Sequence, residues 1–226
     1  MAAIADVAVL VPAGGLGTRL GSRMPKQFLA LGREPILSAT LRHFRRHPRV
    51  GAVVVAAPEA HVERARRVLR GTGAALTIVA GGATRQESVW LALQAAPAGT
   101  RVILVHDAVR PFLSRALIDT LIAAAERDGA AICALPIAET VKRVRDGLVE
   151  ATVDRDGLWA VQTPQAFRVP VLREAHDKAR RDGFVGTDEA MLVERLGHRV
   201  RVVPGLVENV KITTSADLRR ARRRLR

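Results

Sequence analysis

The stretch VAVLVPAGGLGTRL, residues 7–20, joins a run of five apolar residues to a glycine-rich turn. Val7–Val11 is short, continuously apolar and rich in valine, which predicts a strand buried on both faces of a parallel sheet. Glycines directly after such a strand let backbone N–H groups approach an anion closely, at the sheet edge where α/β proteins bind ligands. The stretch therefore predicts an α/β fold and a phosphate-bearing ligand.

Further along the chain, short apolar runs alternate with amphipathic stretches of about 10 to 15 residues, which is typical of βαβ units. The predicted strands, all expected to be buried on both faces, are Val7–Val11, Ala52–Ala56, Leu76–Val79, Val102–Val105 and Ala130–Leu135. The predicted helices between them are Ile36–Arg46, Glu59–Arg70, Gln86–Ala95 and Ser114–Asp128, the last with a serine at the N-cap position. We expect a doubly wound, Rossmann-like α/β fold with a mostly parallel sheet flanked by helices.

The alternation changes after residue 135. Glu139–Arg145 and Leu148–Val153 flank Asp146-Gly147, a pair that favours a type I′ hairpin turn because both central residues need positive φ. We predict a protruding antiparallel β-arm at residues 137–157, and a second subunit to cover it, since a lone hairpin is marginally stable. Beyond a segment that ends in Thr163-Pro164-Gln165, the predicted elements are helices at Val171–Asp182 and Asp188–Leu196, a strand at Val200–Val203 and a helix from Ser215.

The chain carries a large positive charge, with 36 Lys and Arg against 22 Asp and Glu, a net charge of +14. Such an excess is typical of proteins with nucleic-acid or anionic-lipid partners. Aromatic residues make up only 3%, too few to build stacking platforms for single-stranded nucleic acid, so this class stays an alternative.

A single cysteine, Cys133, permits neither an internal disulfide nor a multi-cysteine zinc site. The apolar run near the start is too short to span a bilayer, and we expect a cytoplasmic protein without a membrane partner.

The glycine-rich turn does not match two common phosphate-binding patterns. It lacks the Gly-Lys-Ser/Thr that closes a Walker A loop, and Leu20 breaks the Gly-x-Gly-x-x-Gly pattern of dinucleotide-binding folds. It offers instead the backbone of Gly14 and Gly15 and two cations, Arg19 and Lys26, on the same connection. The alternative is a tight strand-to-helix turn with solvated basic residues.

A carboxylate ends the fourth predicted strand, in the sequence VHDAVRP of residues 105–111. An acid at the carboxyl end of a parallel strand lies in the ligand crevice, and Mg²⁺ prefers one or two carboxylates together with phosphate oxygens and water. Asp107 is therefore the candidate metal ligand. The alternative is that Asp107 caps the turn that follows, and His106 is either a base or a partly buried loop histidine.

At this point eight blocks in one order resemble a known family. They are residues 14–19 (GGLGTR) with 25–27 (PKQ), 81–82 (GG) with 85–89 (RQESV), 106–111 (HDAVRP), 140–142 (TVK), 153–155 (VDR), 163–165 (TPQ), 187–189 (TDE) and 209–213 (NVKIT). Together they resemble the 2-C-methyl-D-erythritol 4-phosphate cytidylyltransferases of the non-mevalonate isoprenoid pathway, over essentially the whole chain. Ala83 is a departure, because the family commonly has an acidic residue after the glycine pair.

The resemblance implies a single nucleotidyltransferase domain over residues 1–226 that uses CTP, a polyol phosphate and Mg²⁺. It also implies a homodimer whose β-arms exchange, with no nucleic-acid partner. Two alternatives remain: a cytidylyltransferase for another polyol phosphate such as ribitol 5-phosphate, and a basic nucleic-acid-binding protein without turnover.

Site residues follow from the resemblance position by position. The implied catalytic residues are Arg19, Lys26, Arg155 and Lys211, and the implied metal ligand is Asp107. The implied nucleotide-binding residues are Ala13, Gly14, Gly15, Gly82, Arg85 and Ser88, and the implied substrate contacts are Arg110, Thr140, Thr163 and Thr187. Because Thr140 and Arg155 lie on the predicted arm, we expect them to serve the active site of the partner subunit.

Overall fold

The structure, a computed structural model, describes residues 5–15, 24–71 and 73–225. Its strands are β1 (Val7–Pro12), β2 (Ala30–Leu31), β3 (Glu34–Pro35), β4 (Val50–Ala57), β5 (Ala75–Ala80), β6 (Val102–Val105), β7 (Ala130–Pro136), β8 (Val141–Arg145), β9 (Leu148–Val153), β10 (Trp159–Arg168) and β11 (Arg201–Pro204). Its α-helices are α1 (Ile36–Arg45), α2 (Val62–Val68), α3 (Arg85–Gln94), α4 (Arg115–Asp128), α5 (Val169–Arg181), α6 (Glu189–Glu194) and α7 (Ser215–Arg223), and single 3₁₀ turns form at Lys26–Phe28 and Glu59–His61. None of the helices in these ranges is both long and apolar enough to cross a lipid bilayer.

Seven strands form one mixed sheet in the order β11-β7-β10-β6-β1-β4-β5. Six of them run in one direction, and β10 is antiparallel to both of its neighbours, β6 and β7. The predicted Rossmann-like, mostly parallel α/β fold is confirmed.

Successive side chains of β1 enter two different cores, because neighbouring residues of a strand point to opposite faces of the sheet. Val7, Val9 and Val11 pack with apolar residues of α1 and α4 on one face. Ala8 and Leu10 pack with residues of α3, α5 and α6 on the other. Helices therefore cover both faces, as the continuous apolar runs predict.

Four strands differ from the prediction: β2, β3 and β10 were not predicted, and β5 is less buried than expected. The edge strand β5 is only partly buried, with Ala75, Thr77 and Ala80 exposed, because it has a neighbour on one side only. The central strand β10 contains Pro164, a residue that cannot donate a hydrogen bond to the sheet and is uncommon in central strands. The sheet accommodates Pro164 where the β10–β7 register shifts between Val161 and Gln165.

The predicted β-arm forms a separate two-stranded sheet of β8 and β9. Its turn has the predicted positive φ angles, 50° at Asp146 and 80° at Gly147. Most arm residues are exposed, including Val144, Leu148 and Val149, whose side chains would ordinarily be buried. The arm thus presents apolar surface that the described part of this chain does not cover.

Candidate active site

A cleft of about 330 Å³ opens at the carboxyl ends of β1, β5 and β6. Parallel strands place the loops after them at one edge of the sheet, so the three loops that follow these strands converge here, joined by Lys211 from the segment before α7. The cleft is lined by Pro12, Ala13, Gly14, Gly15, Lys26, Gln27, Gly82, Ala83, Thr84, Arg85, Ser88, Asp107, Ala108, Val109 and Lys211.

The glycine turn after β1 forms one wall of the cleft. The N–H of Ala13 donates to the Ala56 carbonyl at 2.8 Å, which continues the sheet beyond the end of β1. The buried side chain of Gln27 donates to the Ala13 carbonyl, joining the turn to the 3₁₀ segment that carries Lys26. Gly14, Gly15 and Lys26 therefore face one cavity, whereas Arg19 lies outside the described residues.

The loop between β5 and α3 forms the opposite wall. The hydroxyl of Ser88 accepts the Gly82 N–H at 3.1 Å and donates to the Thr84 carbonyl at 2.9 Å. A Cβ at Gly82 would overlap the Glu87 side chain, which would have to move to accept it. Thr84 caps α3 by accepting the Glu87 N–H, which leaves the N-terminus of a ten-residue helix at the cleft, where backbone N–H groups favour anions.

Asp107 lies at the floor of the cleft with three cations around it. Lys211 contacts its Oδ2 at 2.8 Å, and Arg85 and Arg110 each approach its carboxylate to 3.5 Å. Burial by itself raises the pKa of Asp107, but Lys211, followed by Arg85 and Arg110, lowers that pKa well below its usual range. The acid is therefore ionised in a region of concentrated positive charge.

A hydrogen-bonded chain behind Asp107 fixes its backbone. The N–H of Asp107 donates to Thr163 Oγ1 at 3.0 Å, and Thr163 Oγ1 lies 3.1 Å from His106 Nδ1. His106 Nε2 lies 3.0 Å from the Arg110 carbonyl, which only accepts, so Nε2 carries the proton and Nδ1 accepts from Thr163. Burial lowers the pKa of His106 to about 4, and both ring nitrogens are engaged. His106 is thus a neutral structural residue, and Thr163 is buried behind the cleft.

Asn209, which was not predicted as a site residue, anchors the segment that carries Lys211. The side-chain amide of Asn209 donates to the Thr163 carbonyl at 2.8 Å, and the backbone carbonyl of Asn209 accepts from Arg110 Nη1 at 2.7 Å. These bonds attach the segment before α7 to β10 and to the loop after β6. The sequence signal that points to it is its position two residues before Lys211 in the resembling block.

Five of the predicted site residues that the structure describes do not line this cleft. Arg110 and Thr163 contact Asp107 from outside the lining. Thr140 immediately precedes β8 and is exposed, and Arg155 follows β9 and donates to the Ala138 carbonyl at the base of the arm. Thr187 precedes α6 and is exposed. The structure brings together Ala13, Gly14, Gly15, Lys26, Gly82, Arg85, Ser88, Asp107 and Lys211 in the lining but leaves these five outside it.

Among the described residues, no three His, Cys, Asp or Glu side chains cluster as a ready-made metal site. Asp107 is the acidic residue in the cleft lining. One carboxylate is a sufficient protein share for Mg²⁺ when phosphate oxygens and water complete the shell. The donor set therefore fits a metal that arrives with a polyphosphate.

Residues 7–226 match the family model of 2-C-methyl-D-erythritol 4-phosphate cytidylyltransferase (IspD). A protein of that name from Syntrophotalea carbinolica is 45% identical, over 94% of this chain and 93% of its own. The crystal structure of the protein of that name from Thermus thermophilus is 38% identical with a TM-score of 0.82, covering 96% of this chain and 98% of its own. A 4-diphosphocytidyl-2C-methyl-D-erythritol synthase structure from Anaerococcus prevotii, 28% identical, covers 100% of this chain and 99% of its own with a TM-score of 0.85. With both the sequence and the fold matched along nearly their full length, this chain belongs to the 2-C-methyl-D-erythritol 4-phosphate cytidylyltransferase family.

Proposed function

We propose that this protein transfers a cytidylyl group from CTP to 2-C-methyl-D-erythritol 4-phosphate. The products are 4-diphosphocytidyl-2-C-methyl-D-erythritol, an isoprenoid precursor, and pyrophosphate. The observation that carries the proposal is the position of Asp107 and its cations, which face the glycine turn after β1 across one cleft. The relatives reported above bear names that specify the same reaction.

The chemistry requires positioning and charge neutralisation more than proton transfer. An oxygen of the polyol phosphate bonds to the α-phosphorus of CTP while the bond from that phosphorus to the departing pyrophosphate breaks. A phosphate monoester has a second pKa of about 6, so the attacking oxygen is already largely ionised at pH 7 and needs no base. A neutral, fully hydrogen-bonded His106 agrees with this chemistry. Catalysis then comes from holding two anions in line and stabilising the charge that grows on the leaving group.

The roles of the site residues are part of the proposal. The backbone of Ala13, Gly14 and Gly15 cradles the triphosphate, and Lys26 with Arg19 stabilises the charge of the transition state. Gly82, Arg85 and Ser88 form the second nucleotide-binding loop, and Lys211 with Arg155 positions the polyol phosphate, near contacts from Arg110, Thr140, Thr163 and Thr187. The roles at the triphosphate and in the second nucleotide-binding loop are supported because the described residues of both sets line one cleft.

We propose that Asp107 is the protein ligand of Mg²⁺. When bound, the ion would neutralise charge on the triphosphate oxygens. Lys211 contacts Oδ2 of Asp107 at 2.8 Å, so the ammonium and the ion compete for one carboxylate. Release of Lys211 from Asp107 would make its charge available to the second phosphorylated substrate.

We further propose a homodimer in which the arms exchange. The exposed fractions of Val144, Leu148 and Val149 are 56%, 75% and 62%, and burying such side chains is favourable by about 25 cal/mol per Å² of apolar area. An exchanged arm would also carry Thr140 and Arg155 to the cleft of the partner. A cytoplasmic location stays a prediction.

The proposed function is tested by measuring pyrophosphate release with CTP, Mg²⁺ and each polyol phosphate in turn. We expect release that depends on Mg²⁺ and a higher kcat/KM for 2-C-methyl-D-erythritol 4-phosphate than for ribitol 5-phosphate. A higher kcat/KM for ribitol 5-phosphate would identify that compound as the substrate instead. No release, together with steeply salt-dependent binding to DNA or RNA, would support a nucleic-acid-binding protein instead.

A further inference from the structure

We propose that Glu189 is a positioning residue that sets the orientation of Arg85 in the nucleotide cleft. The inference rests on the proposed function, since it concerns how that cleft holds CTP. Glu189 is 1% exposed and lies outside the cleft lining, so it has no direct route to the substrate.

Arg85 is held between two carboxylates. Its Nη1 donates to both oxygens of Glu189 at 2.9 Å, and its Nε lies 3.5 Å from Oδ1 of Asp107. Although burial opposes its charge, Glu189 and Asp107 raise the pKa of Arg85 above its ordinary value. Within the described residues Nη2 makes no hydrogen bond, so the guanidinium is oriented on one side and keeps donors for a ligand on the other.

The pair with Glu189 contributes orientation and not added charge. A guanidinium and a carboxylate in contact sum to zero, so the pair adds no net positive charge to the cleft. Burial raises the pKa of Glu189 above its ordinary value, and Arg85 is the group that opposes this rise. An unpaired arginine would sample several rotamers, and fixing one of them in advance lowers the entropy lost on binding.

Glu189 is itself anchored to the central sheet. It is the first residue of α6, whose N-cap Asp188 accepts from Gln165 Nε2 at 2.7 Å, while the Ala190 N–H donates to Gln165 Oε1 at 3.2 Å. Gln165 belongs to β10 and is fully buried. The hydrogen bonds therefore run from the sheet through α6 to Arg85 and the cleft.

A second connection holds the two sides of the pair together. The side chain of Gln86, next to Arg85, donates to the Phe184 carbonyl at 3.0 Å and accepts the Gly186 N–H at 2.8 Å. The N-terminus of α3 is thus fixed by two hydrogen bonds to the segment before α6. Such a built environment is what a positioning role requires.

The test is a double-mutant cycle on CTP use, with Glu189→Gln, Arg85→Ala and the double variant. We expect Glu189→Gln to lower kcat/KM for CTP about 10-fold, within the range for residues in contact, and to change KM for the polyol phosphate by less than about 2-fold. In the Arg85→Ala background the same substitution is expected to cost less than about 2-fold. A loss that is equally large in that background, or equal effects on both substrates, would overturn the inference.

Leu192→Ala is the matched control, because Leu192 is buried in the same helix and belongs to the apolar core. It is expected to lower Tm without changing the ratio of the two KM values. If Glu189→Gln does not fold, Glu189→Asp keeps the charge but shortens the side chain, and should lower kcat/KM for CTP while sparing that for the polyol phosphate. Calorimetric titration of the same variants with CTP separates the proposed function from the proposed role of Glu189. If the wild type binds CTP without turnover, the proposed function is contradicted. If the losses of CTP affinity from Glu189→Gln and Arg85→Ala add up in the double variant, the role of Glu189 is contradicted.

Discussion

Lowering the pH from 7 to 5 should destabilise the protein through His106. The ring is fully buried, its Nε2–H is committed to the Arg110 carbonyl and its Nδ1 to the Thr163 hydroxyl. A proton on Nδ1 would displace the hydroxyl proton that it now accepts and would place a charge in the core. Burial accordingly lowers the pKa of His106 from 6.5 to about 4.

The sign and size of the effect follow from linkage. Because the folded-state pKa lies below the unfolded value, the unfolded chain binds more protons between pH 6.5 and pH 4, and the free energy of unfolding falls as the pH falls through that window. With a limiting slope of about 1.4 kcal/mol per pH unit, His106 accounts for a loss of about 2 kcal/mol between pH 7 and pH 5. His176 is also fully buried, its pKa is lowered to about 4 by burial, and it accounts for a similar loss.

Urea unfolding at pH 7, 6 and 5 measures the total, and His176→Leu separates the two histidines. Neither ring nitrogen of His176 has a hydrogen-bond partner in the described structure, so the substitution removes its titration without cutting a bond. We expect the free energy of unfolding of the His176→Leu variant to fall by about 2 kcal/mol between pH 7 and pH 5, which is the contribution of His106. Nitrogen-15 NMR of the histidine rings reads His106 directly, with the proton on Nε2 at pH 7. A midpoint for His106 near 6.5, or a stability of the variant that does not change over this range, would refute the reasoning.

The remaining predictions concern the proposed reaction. Asp107→Asn should lower kcat by about 100-fold, the usual cost of removing one charge-stabilising group, and near-normal turnover at limiting Mg²⁺ would remove Asp107 from the metal site. Lys211→Ala should lower kcat/KM for the polyol phosphate about 100-fold with a smaller effect on KM for CTP, and an unchanged kcat/KM for the polyol phosphate would contradict its role. Mixing inactive Arg155→Ala and Lys26→Ala subunits should restore part of the activity if arms exchange, and an activity no higher than that of either variant after subunit exchange would indicate self-contained sites.

The main elements of the fold were predictable because their signals are local. The apolar run of β1, the serine cap of α4 and the Asp146-Gly147 turn each act within a few residues, and each is found where it was predicted. The strand β10 was not predictable in this way. Its pairing between β6 and β7 outweighs the local preference against Pro164, because the sheet supplies partners on both sides.

The site likewise contains residues that local sequence signals predict and contacts that they do not. Lys26 and Asp107 could be proposed as phosphate and metal residues because a glycine turn or a carboxylate at the end of a parallel strand has a known position in the fold. The contacts of Glu189 and Asn209 could not be predicted, since their partners Arg85 and Arg110 lie 104 and 99 positions away in sequence. The grouping of three cations on Asp107 likewise depends on how loops from different strands meet.

By itself, the sequence determined the α/β class, the order of the main elements and the glycine turn at the end of β1, because hydrophobic period, capping and turn chemistry operate between near neighbours. It also indicated, through eight ordered blocks, the family to which the chain belongs. Tertiary structure alone decided which side chains touch: that Asp107 is paired with Lys211, that both ring nitrogens of His106 are engaged, and that Glu189 is paired with Arg85. The physical reason is that burial and through-space electrostatics depend on distances between distant segments, and those distances exist only once the sheet has formed.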